Sequence, residues 1–523
     1  MNSSKAPGGR SPRARRGLAA LAGLVAAALT LGVAELVSAL LGTASSPLLA
    51  IGSAVVDRVP LWLKDFAIRT FGSNDKAVLL ATLGVAVALL AALAGVLELL
   101  RRFAGVALVV VLGLVTVAAT ATRAGAGTLD VLPSLLGFGL GALALRVMAD
   151  RLRADAAPSS LPATTASGRR SFLTLAAATA GLAVVTGVAG RIVGSAARSV
   201  SAARDAVRLP RPAVPAPPLP AGASAPVEGM PAFVTANADF YRVDTALSVP
   251  RVDPATWTLR VHGLVEEEVE ITYDELLDDD LVESAITLTC VSNEVGGELA
   301  GNAVWLGLPL HALLERARPL ADADMVLSTS ADGYTASTPL ASLTDAGVGA
   351  LLAVGMNGEP LPVEHGFPVR MVVPGLYGFV SATKWVVDLE VTRFADSTAY
   401  WTTRGYSAQA PIKTASRIDV PGAFAKVAPG RVAVGGTAWA QTRGITGVEV
   451  RVDDGPWRPA TLADDAGLAT WRQWSFAWED ATPGSHTLVV RATDATGDVQ
   501  TADRARPAPD GATGWHSVTV TVA

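Results

Sequence analysis

The 523-residue chain has a single cysteine, Cys290, and five histidines, none of which precedes His262. One thiol excludes an internal disulfide framework and any cluster of cysteine ligands. The absence of histidine before His262 excludes a membrane b-type haem held by two imidazoles in that part of the chain. No haem is expected elsewhere in the chain. Excess charge is scarce as well: 42 Lys and Arg against 47 Asp and Glu leave a formal net charge of −5. No basic block of the kind that follows a nucleic-acid backbone is present, so a nucleic-acid partner is not expected. A lone thiol is either a small buried apolar residue or a group kept for its chemistry.

Long apolar runs, by contrast, are abundant. Residues 17–195 are dominated by Ala, Leu, Val and Gly. A spanning helix needs about 20 mainly apolar residues. Leu18–Leu41, Ala77–Leu100, Phe103–Ala121, Leu129–Met148 and Phe172–Val193 meet or nearly meet that length, the fourth being diluted by Gly and Pro133. The stretch from Ser45 to Phe71 is interrupted by Asp57, Arg58, Lys64 and Asp65 and reads as an interfacial or outward segment. Arg10, Arg13, Arg15 and Arg16 precede the first run, and Arg101 and Arg102 follow the second. Arg146, Arg151, Arg153, Arg169 and Arg170 separate the fourth and fifth. If these flanks are cytoplasmic, five spans leave everything after about Gly194 outside. Arg58, Lys64, Arg69 and Lys76 fit that bias less well.

Gly168-Arg169-Arg170-Ser171-Phe172-Leu173 resembles a twin-arginine export signal, the alternative being plain basic flanking of a span. Glu35 and Glu98 lie near the ends of their runs, where intramembrane acids are functional candidates or reach the interface. With no haem ligands, the helices read as a bilayer anchor or partner-docking surface.

The fold class expected is multi-domain. A transmembrane helical anchor occupies 1–195 and a Pro-rich linker 196–231. An α+β domain covers 232–396, and an immunoglobulin-like β-sandwich covers 408–523. The linker contains Leu209–Pro226, expected to be extended and semi-rigid, holding the soluble part clear of the bilayer. In the α+β domain, strands are expected at Trp257–Val261, Val269–Ile271, Ala285–Thr289, Pro368–Val373 and Lys384–Val391, with helices at Tyr273–Leu277 and Pro309–Ala317. Beyond Ala410, Val432–Ala438, Gly447–Val452, Trp471–Trp478, His486–Ala492 and Ser517–Val522 alternate between turn residues, the pattern of a sandwich.

Cys290 ends a strand and enters a loop containing Gly296, Gly297 and Gly301. Such glycines let backbone approach a bulky ligand. A thiolate suits a transition metal. A zinc site lacks its other ligands here, so a metal must bring most of its own.

Thr289-Cys290-Val291-Ser292-Asn293-Glu294-Val295-Gly296-Gly297, followed by Trp305-Leu306-Gly307-Leu308-Pro309-Leu310, resembles the sulfite oxidase-like molybdopterin oxidoreductases. So do His365-Gly366-Phe367-Pro368-Val369-Arg370, Val373-Pro374-Gly375, Lys384-Trp385 and the earlier Asp239-Phe240-Tyr241-Arg242-Val243-Asp244. The blocks fall in family order; the membrane half lies outside the resemblance. The resemblance implies a molybdenum–molybdopterin cofactor with Cys290 as the protein's sulfur ligand to the metal. It implies Tyr241, Arg242, Ser292, Asn293, His365, Arg370 and Lys384 around the cofactor. Tyr406, Arg404 and the Asp332-Gly333-Tyr334 turn are expected at the substrate mouth. It further implies two-electron oxygen-atom transfer on a small substrate, a separate electron carrier, and a homodimer through the C-terminal module.

One departure stands out. Sulfite-oxidising members commonly place Arg directly before the cysteine, where this chain has Thr289. A sulfite dianion would meet a less positive site there, though Arg404 could supply part of that charge. The direction of the reaction is open, and a reductase of methionine sulfoxide or of other S- or N-oxides is an alternative to a sulfite enzyme. A cofactor-free cell-surface binding protein is the alternative of another class.

Overall fold

The computed structural model describes residues 12–41, 46–59, 75–122, 128–154, 166–196, 199–246 and 248–523, together with 63, 66, 70 and 71. Within its helices, the side chains of 48, 57, 75, 76, 166–170, 191–196 and 199 lie outside the described set. Arg10, Lys64, Asp65 and Arg69 therefore lie outside the described residues, as do the side chains of Lys76, Arg169 and Arg170. The chain divides into two units, Met1–Ser199 with Ala246–Ser248, and Val200–Thr245 with Val249–Ala523.

The first unit is helical: α1 (Pro12–Leu41), α2 (Pro47–Arg58), α3 (Asp75–Leu100), α4 (Ala104–Ala121), α5 (Leu132–Ala154) and α6 (Ala166–Ala196). Five of its helical stretches are long and apolar enough to cross a membrane, and they coincide with the five apolar runs of the sequence. The first part of the interrupted stretch forms α2, whose 12 residues are too few to span.

Small residues set the helix contacts. A Cβ on Gly23 would lie 1.9 Å from the Ala91 carbonyl oxygen, and one on Gly95 would lie 1.9 Å from that of Ala19. Lipid tails are as apolar as leucine, so helices associate there through close backbone approach. Glu98 is fully buried and accepts from the backbone N–H groups of Phe103, Gly105 and Val106 at 3.0–3.1 Å. Arg146 and Arg153 pair with it at 2.8 and 3.4 Å. The carboxylate thus satisfies the open N–H groups at the start of α4 and ties that turn to α5. Glu35 accepts from the Ser46 hydroxyl.

The second unit begins with α7 (Ser199–Ala206), whose Arg204 donates to the carbonyls of Pro360 and Leu361 at 2.8 and 2.9 Å. The Pro-rich stretch that follows is extended, as expected, but it is bound along this unit rather than left as a spacer. The Ala213 N–H donates to the Leu281 carbonyl at 2.7 Å, Glu283 N–H to Val214 at 2.9 Å, and Ala225 N–H to the Gln473 side chain at 2.9 Å. An extended proline-rich chain leaves its carbonyls free, and the adjoining strand edge offers unpaired donors.

The central part holds two sheets. Its strands are β1 (Thr258–Gly263), β2 (Val269–Thr272), β3 (Val282–Thr289), β4 (Ala300–Pro309), β5 (Met325–Ser330), β6 (Thr335–Pro339), β7 (Leu351–Met356), β8 (Glu359–Pro360), β9 (Arg370–Val372) and β10 (Val386–Thr392). One sheet runs β2-β1-β10-β5-β6, with β1 and β10 parallel; the other runs β3-β4-β7-β8, with β9 on β7. Helix α8 (Tyr273–Leu277) starts at a reciprocal cap between Thr272 and Glu275. Helix α9 (Leu310–Ala317) buries Leu310, Leu313 and Leu314, the face expected from their spacing. Helix α10 (Leu340–Thr344) follows β6.

The C-terminal part is β11 (Ala415–Val420), β12 (Lys426–Val427), β13 (Gly430–Trp439), β14 (Ile445–Val452), β15 (Arg458–Pro459), β16 (Thr461–Leu462), β17 (Arg472–Ala481), β18 (Gly484–Asp494) and β19 (His516–Val522). They form two sheets, β11-β13-β17-β16 and β12-β19-β18-β14-β15. Val434 and Trp474 of one sheet share a buried core with Val450, Val490 and Val520 of the other.

Candidate active site

Strand β3 carries its last residues inward and stops at Cys290, whose N–H donates to the Leu299 carbonyl at 2.9 Å. The thiol looks into a cavity of about 900 Å³, open mouth included, built wholly within the second unit. Its lining, aromatic rings with a few convergent charged and polar groups, suits a small-molecule or cofactor site. The Ser292 N–H donates to Cys290 Sγ at 3.4 Å. Burial pushes the thiol pKa up, opposed by that N–H and by the positive charge of Lys384.

Three nitrogenous side chains converge on the same cavity from the chain around β9 and β10. Arg370 is buried and donates to the carbonyls of His365 and Ala382 at 3.0 and 3.5 Å, with its guanidinium 5.1 Å from the centre of the Trp305 ring. No carboxylate lies within ion-pair distance of it among the described residues. Burial lowers its pKa to about 10. Lys384 Nζ donates to Asp244 and to the Glu364 carbonyl at 3.0 and 3.1 Å. Its pKa falls to about 8 through burial, against the pull of Asp244. His365 falls to about 4, through burial and then the charges of Arg370 and Lys384, and is neutral at ordinary pH. Its Nε2 therefore carries the proton donated to the Asn237 carbonyl at 3.2 Å.

The mouth is aromatic. Trp401 and Tyr406 lie 5.0 Å apart and Phe379 lies 5.5 Å from Tyr406, with rings steeply inclined to each other. The Tyr334 hydroxyl donates to the Phe379 carbonyl at 2.9 Å. Burial raises the pKa of both Tyr241 and Tyr334, so these phenols keep their protons.

Of the residues expected from the sequence, Cys290, Tyr241, Ser292, His365, Arg370, Lys384, Tyr406, Asp332 and Tyr334 line this cavity together. Three do not. Arg242 does not line it, and its Nε binds Asp244 at 2.9 Å. Asn293 folds behind Cys290, where its side-chain oxygen accepts from the Leu299 N–H at 2.9 Å, and it borders a separate small cavity. Arg404 sits in a short 3₁₀ turn, Thr402–Arg404, that directs it onto the Tyr400 ring at 3.5 Å and the Tyr400 carbonyl at 2.7 Å. The sequence reading also missed Phe379 as a wall and the Asp244 carboxylate as the partner of Lys384, 140 positions away. Asp244 closes the quoted Asp239–Asp244 block, which was the available signal.

The donor set is a soft sulfur in one cavity with a buried guanidinium that has no carboxylate within ion-pair distance among the described residues, a combination suited to a metal carried by an anionic group.

Residues 246–401 match the oxidoreductase molybdopterin binding domain. The mitochondrial sulfite oxidase of Mus musculus is 30% identical over 315 residues, covering 51% of this chain and 57% of that protein. A Bacillus subtilis protein, "Uncharacterized oxidoreductase YuiH", is 32% identical over 154 residues, 29% of this chain and 74% of its own length. The NADPH nitrate reductase of Fusarium oxysporum is 28% identical over 331 residues, 49% of this chain and 36% of that enzyme. The chain spans about half the length of the mitochondrial sulfite oxidases it matches, 53–57%.

Proposed function

The chain belongs to the sulfite oxidase-like family of molybdopterin-dependent oxidoreductases, and on that premise we propose a membrane-anchored enzyme that exchanges an oxygen atom with a small extracytoplasmic substrate. The observation that carries this reading is the buried Arg370 guanidinium, with no carboxylate within ion-pair distance among the described residues, in the same cavity as the chain's only thiol. Bound there, the molybdenum–molybdopterin group supplies two-electron oxygen-atom chemistry.

The protein's residues do the rest. Cys290 would offer the metal its sulfur; burial keeps the free thiol protonated, so metal binding would displace a proton. The Ser292 N–H, already on Sγ, holds the sulfur's orientation. Arg370 and Lys384 are the cations for the group's phosphate. Neutral His365 and the protonated phenol of Tyr241 supply hydrogen bonds without adding charge. Trp401, Tyr406 and Phe379 narrow the mouth against bulk water. Electrons pass to or from a separate carrier. The paired C-terminal sheets are read as an immunoglobulin-like module with a homodimer face, and the arginine-rich flanks of the spans support an outward-facing soluble part.

Sulfite is one substrate of this reading. An organic S- or N-oxide is the second, favoured by a specific observation. Apart from the Arg370, Lys384 and Asp244 group, the charged side chain lining the cavity among the described residues is Asp332, and Arg404 is turned onto Tyr400. A sulfite dianion would meet that carboxylate and aromatic faces, whereas a neutral dipolar oxide suits both. Two assays on the full-length protein separate the readings: sulfite-dependent reduction of an artificial acceptor, and sulfoxide-dependent oxidation of a reduced dye. One of the two is expected to exceed its rate in Cys290→Ser by at least about a hundredfold. If neither exceeds the variant's rate, the oxidoreductase reading fails.

A further inference from the structure

Strand β3, which delivers Cys290, is the edge strand of its sheet, paired along one side with β4 and on the other met only at its start, by Val214 of the Pro-rich segment at Val282. An edge strand has open N–H and C=O groups on its other side, and a loop leaving such an edge is the kind of segment that opens locally. Toward Cys290 that side is taken by turns of the C-terminal part. Thr287, three residues before Cys290, donates its N–H to the Ala469 carbonyl at 2.9 Å and accepts on its own carbonyl from Gln441 Nε2 at 2.9 Å. Its hydroxyl accepts from the Trp471 N–H at 2.8 Å. Gln441 is 1% exposed, so these bonds are shielded from water.

The far side of the loop is held in the same way. Arg417 Nη1 donates to the Gly297 carbonyl at 2.8 Å, and its Nε donates to Asp419 at 2.6 Å. The His516 ring lies against the backbone of Gly296, at positive φ, where a Cβ would meet its Cδ2 at 2.1 Å. None of Gln441, Arg417 or His516 lines the main cavity.

We infer that the C-terminal module fixes Cys290 from behind, with Gln441 and Arg417 as positioning residues that set where the sulfur stands without touching the reacting atoms. A metal ligand must be held within about 0.5 Å of its working geometry, and a strand edge followed by a glycine loop does not hold it alone. The module is then part of the active site's construction as well as a candidate dimer face. The inference rests on the reading of Cys290 as the metal's thiolate.

Because Cys290 is the chain's only cysteine, iodoacetamide labelling reports on it alone. The test uses full-length protein in detergent, made in a host that cannot synthesise molybdopterin, and labelled well below its unfolding temperature. Arg417→Met and Gln441→Leu are expected to label about tenfold faster than the parent, and Arg417→Lys, which keeps the charge but not the two-armed reach to Asp419 and Gly297, at a rate between those of the parent and Arg417→Met. Val450→Ala, which loosens the module's core on a strand that carries none of these contacts, is expected to label at the parent's rate while melting earlier. In molybdenum-loaded protein, the Arg417→Met and Gln441→Leu variants are expected to shift the Mo(V) paramagnetic resonance signal. Parent-like labelling and an unshifted signal in both variants would overturn the inference, and so would equal acceleration by Val450→Ala. Since labelling needs no cofactor, that failure is distinct from failure of the oxidoreductase reading, which would appear as a parent protein that takes up no molybdenum.

Discussion

The two units bury apolar side chains in different proportions. In the helical unit most buried positions along the helix contacts are small, Ala19, Ala22, Ala26 and Ala94 among them, beside a few large ones such as Met148 and Phe172, while Val85, Leu89 and Val185 are 61–67% exposed. In the second unit the large residues are inside, and Trp305, Trp385, Trp474 and Phe367 are almost fully buried. Water drives the second arrangement, whereas lipid gives no such drive between helices and rewards close backbone contact. Buried charge differs in parallel. Glu98 is matched by two arginines and three backbone donors, a closed structural arrangement. Arg370 is held by carbonyls alone and faces a cavity. A buried charge left unmatched by its own chain is what a ligand site requires, so chemistry is expected in the second unit and not at Glu98.

The largest expected effect comes from disturbing the small-residue contacts. Gly23→Leu would drive a side chain into the Ala91 backbone and is expected to abolish a monodisperse species on size exclusion. At Gly84 a Cβ meets nothing, and Gly84→Leu is expected to leave the species intact. Equal behaviour of the two variants would break the comparison. In the second unit the sign reverses. Trp305→Ala is expected to cost about 3–5 kcal/mol in denaturant unfolding.

A smaller effect is expected at Asp494 in the C-terminal sheets. Burial alone would raise its pKa, but hydrogen bonds from Thr496, Arg443 and Thr414 outweigh that and hold the carboxyl well below the usual carboxylate range. A depressed carboxyl pKa contributes stability that is present above the unfolded value and lost as pH falls below about 4. Thermal melts are expected to show that loss in the parent and a flatter acid limb in Asp494→Asn, which is also less stable by about 1–3 kcal/mol at neutral pH. The smallest effect belongs to Leu89→Ala, 67% exposed in the parent, expected to change stability by less than about 0.5 kcal/mol. A change of several kcal/mol there would mean that the outer face of α3 is packed against something other than lipid.

These contrasts also explain what could be read from the sequence. Twenty-residue apolar runs have no other good use, so the five helices were legible from length alone. The strand ending at Cys290 and the blocks around His365, Arg370 and Lys384 were legible because they occur in family order. Strand β4 was not recognised as a strand, because it is buried along nearly its whole length and lacks the alternation that marks a half-exposed strand. Pairings across long separations were illegible for a different reason. Nothing local to Asp244 announces Lys384, and nothing local to Arg417 announces Gly297. Arg404 shows the limit at short range: two neighbours in its segment, Trp401 and Tyr406, face the cavity, but one turn of 3₁₀ helix points it elsewhere.

The central claim is that the cavity around Cys290, Arg370 and Lys384 seats a molybdenum–molybdopterin group. Its most direct test is joint molybdenum and pterin analysis of the full-length protein purified from a molybdenum-replete host, beside Cys290→Ser and Arg370→Met. About one molybdenum and one pterin per chain are expected in the parent. Arg370→Met is expected to lose most pterin, and Cys290→Ser to retain pterin with altered or depleted metal. A parent with molybdenum far below stoichiometry, indistinguishable from both variants, would contradict the claim.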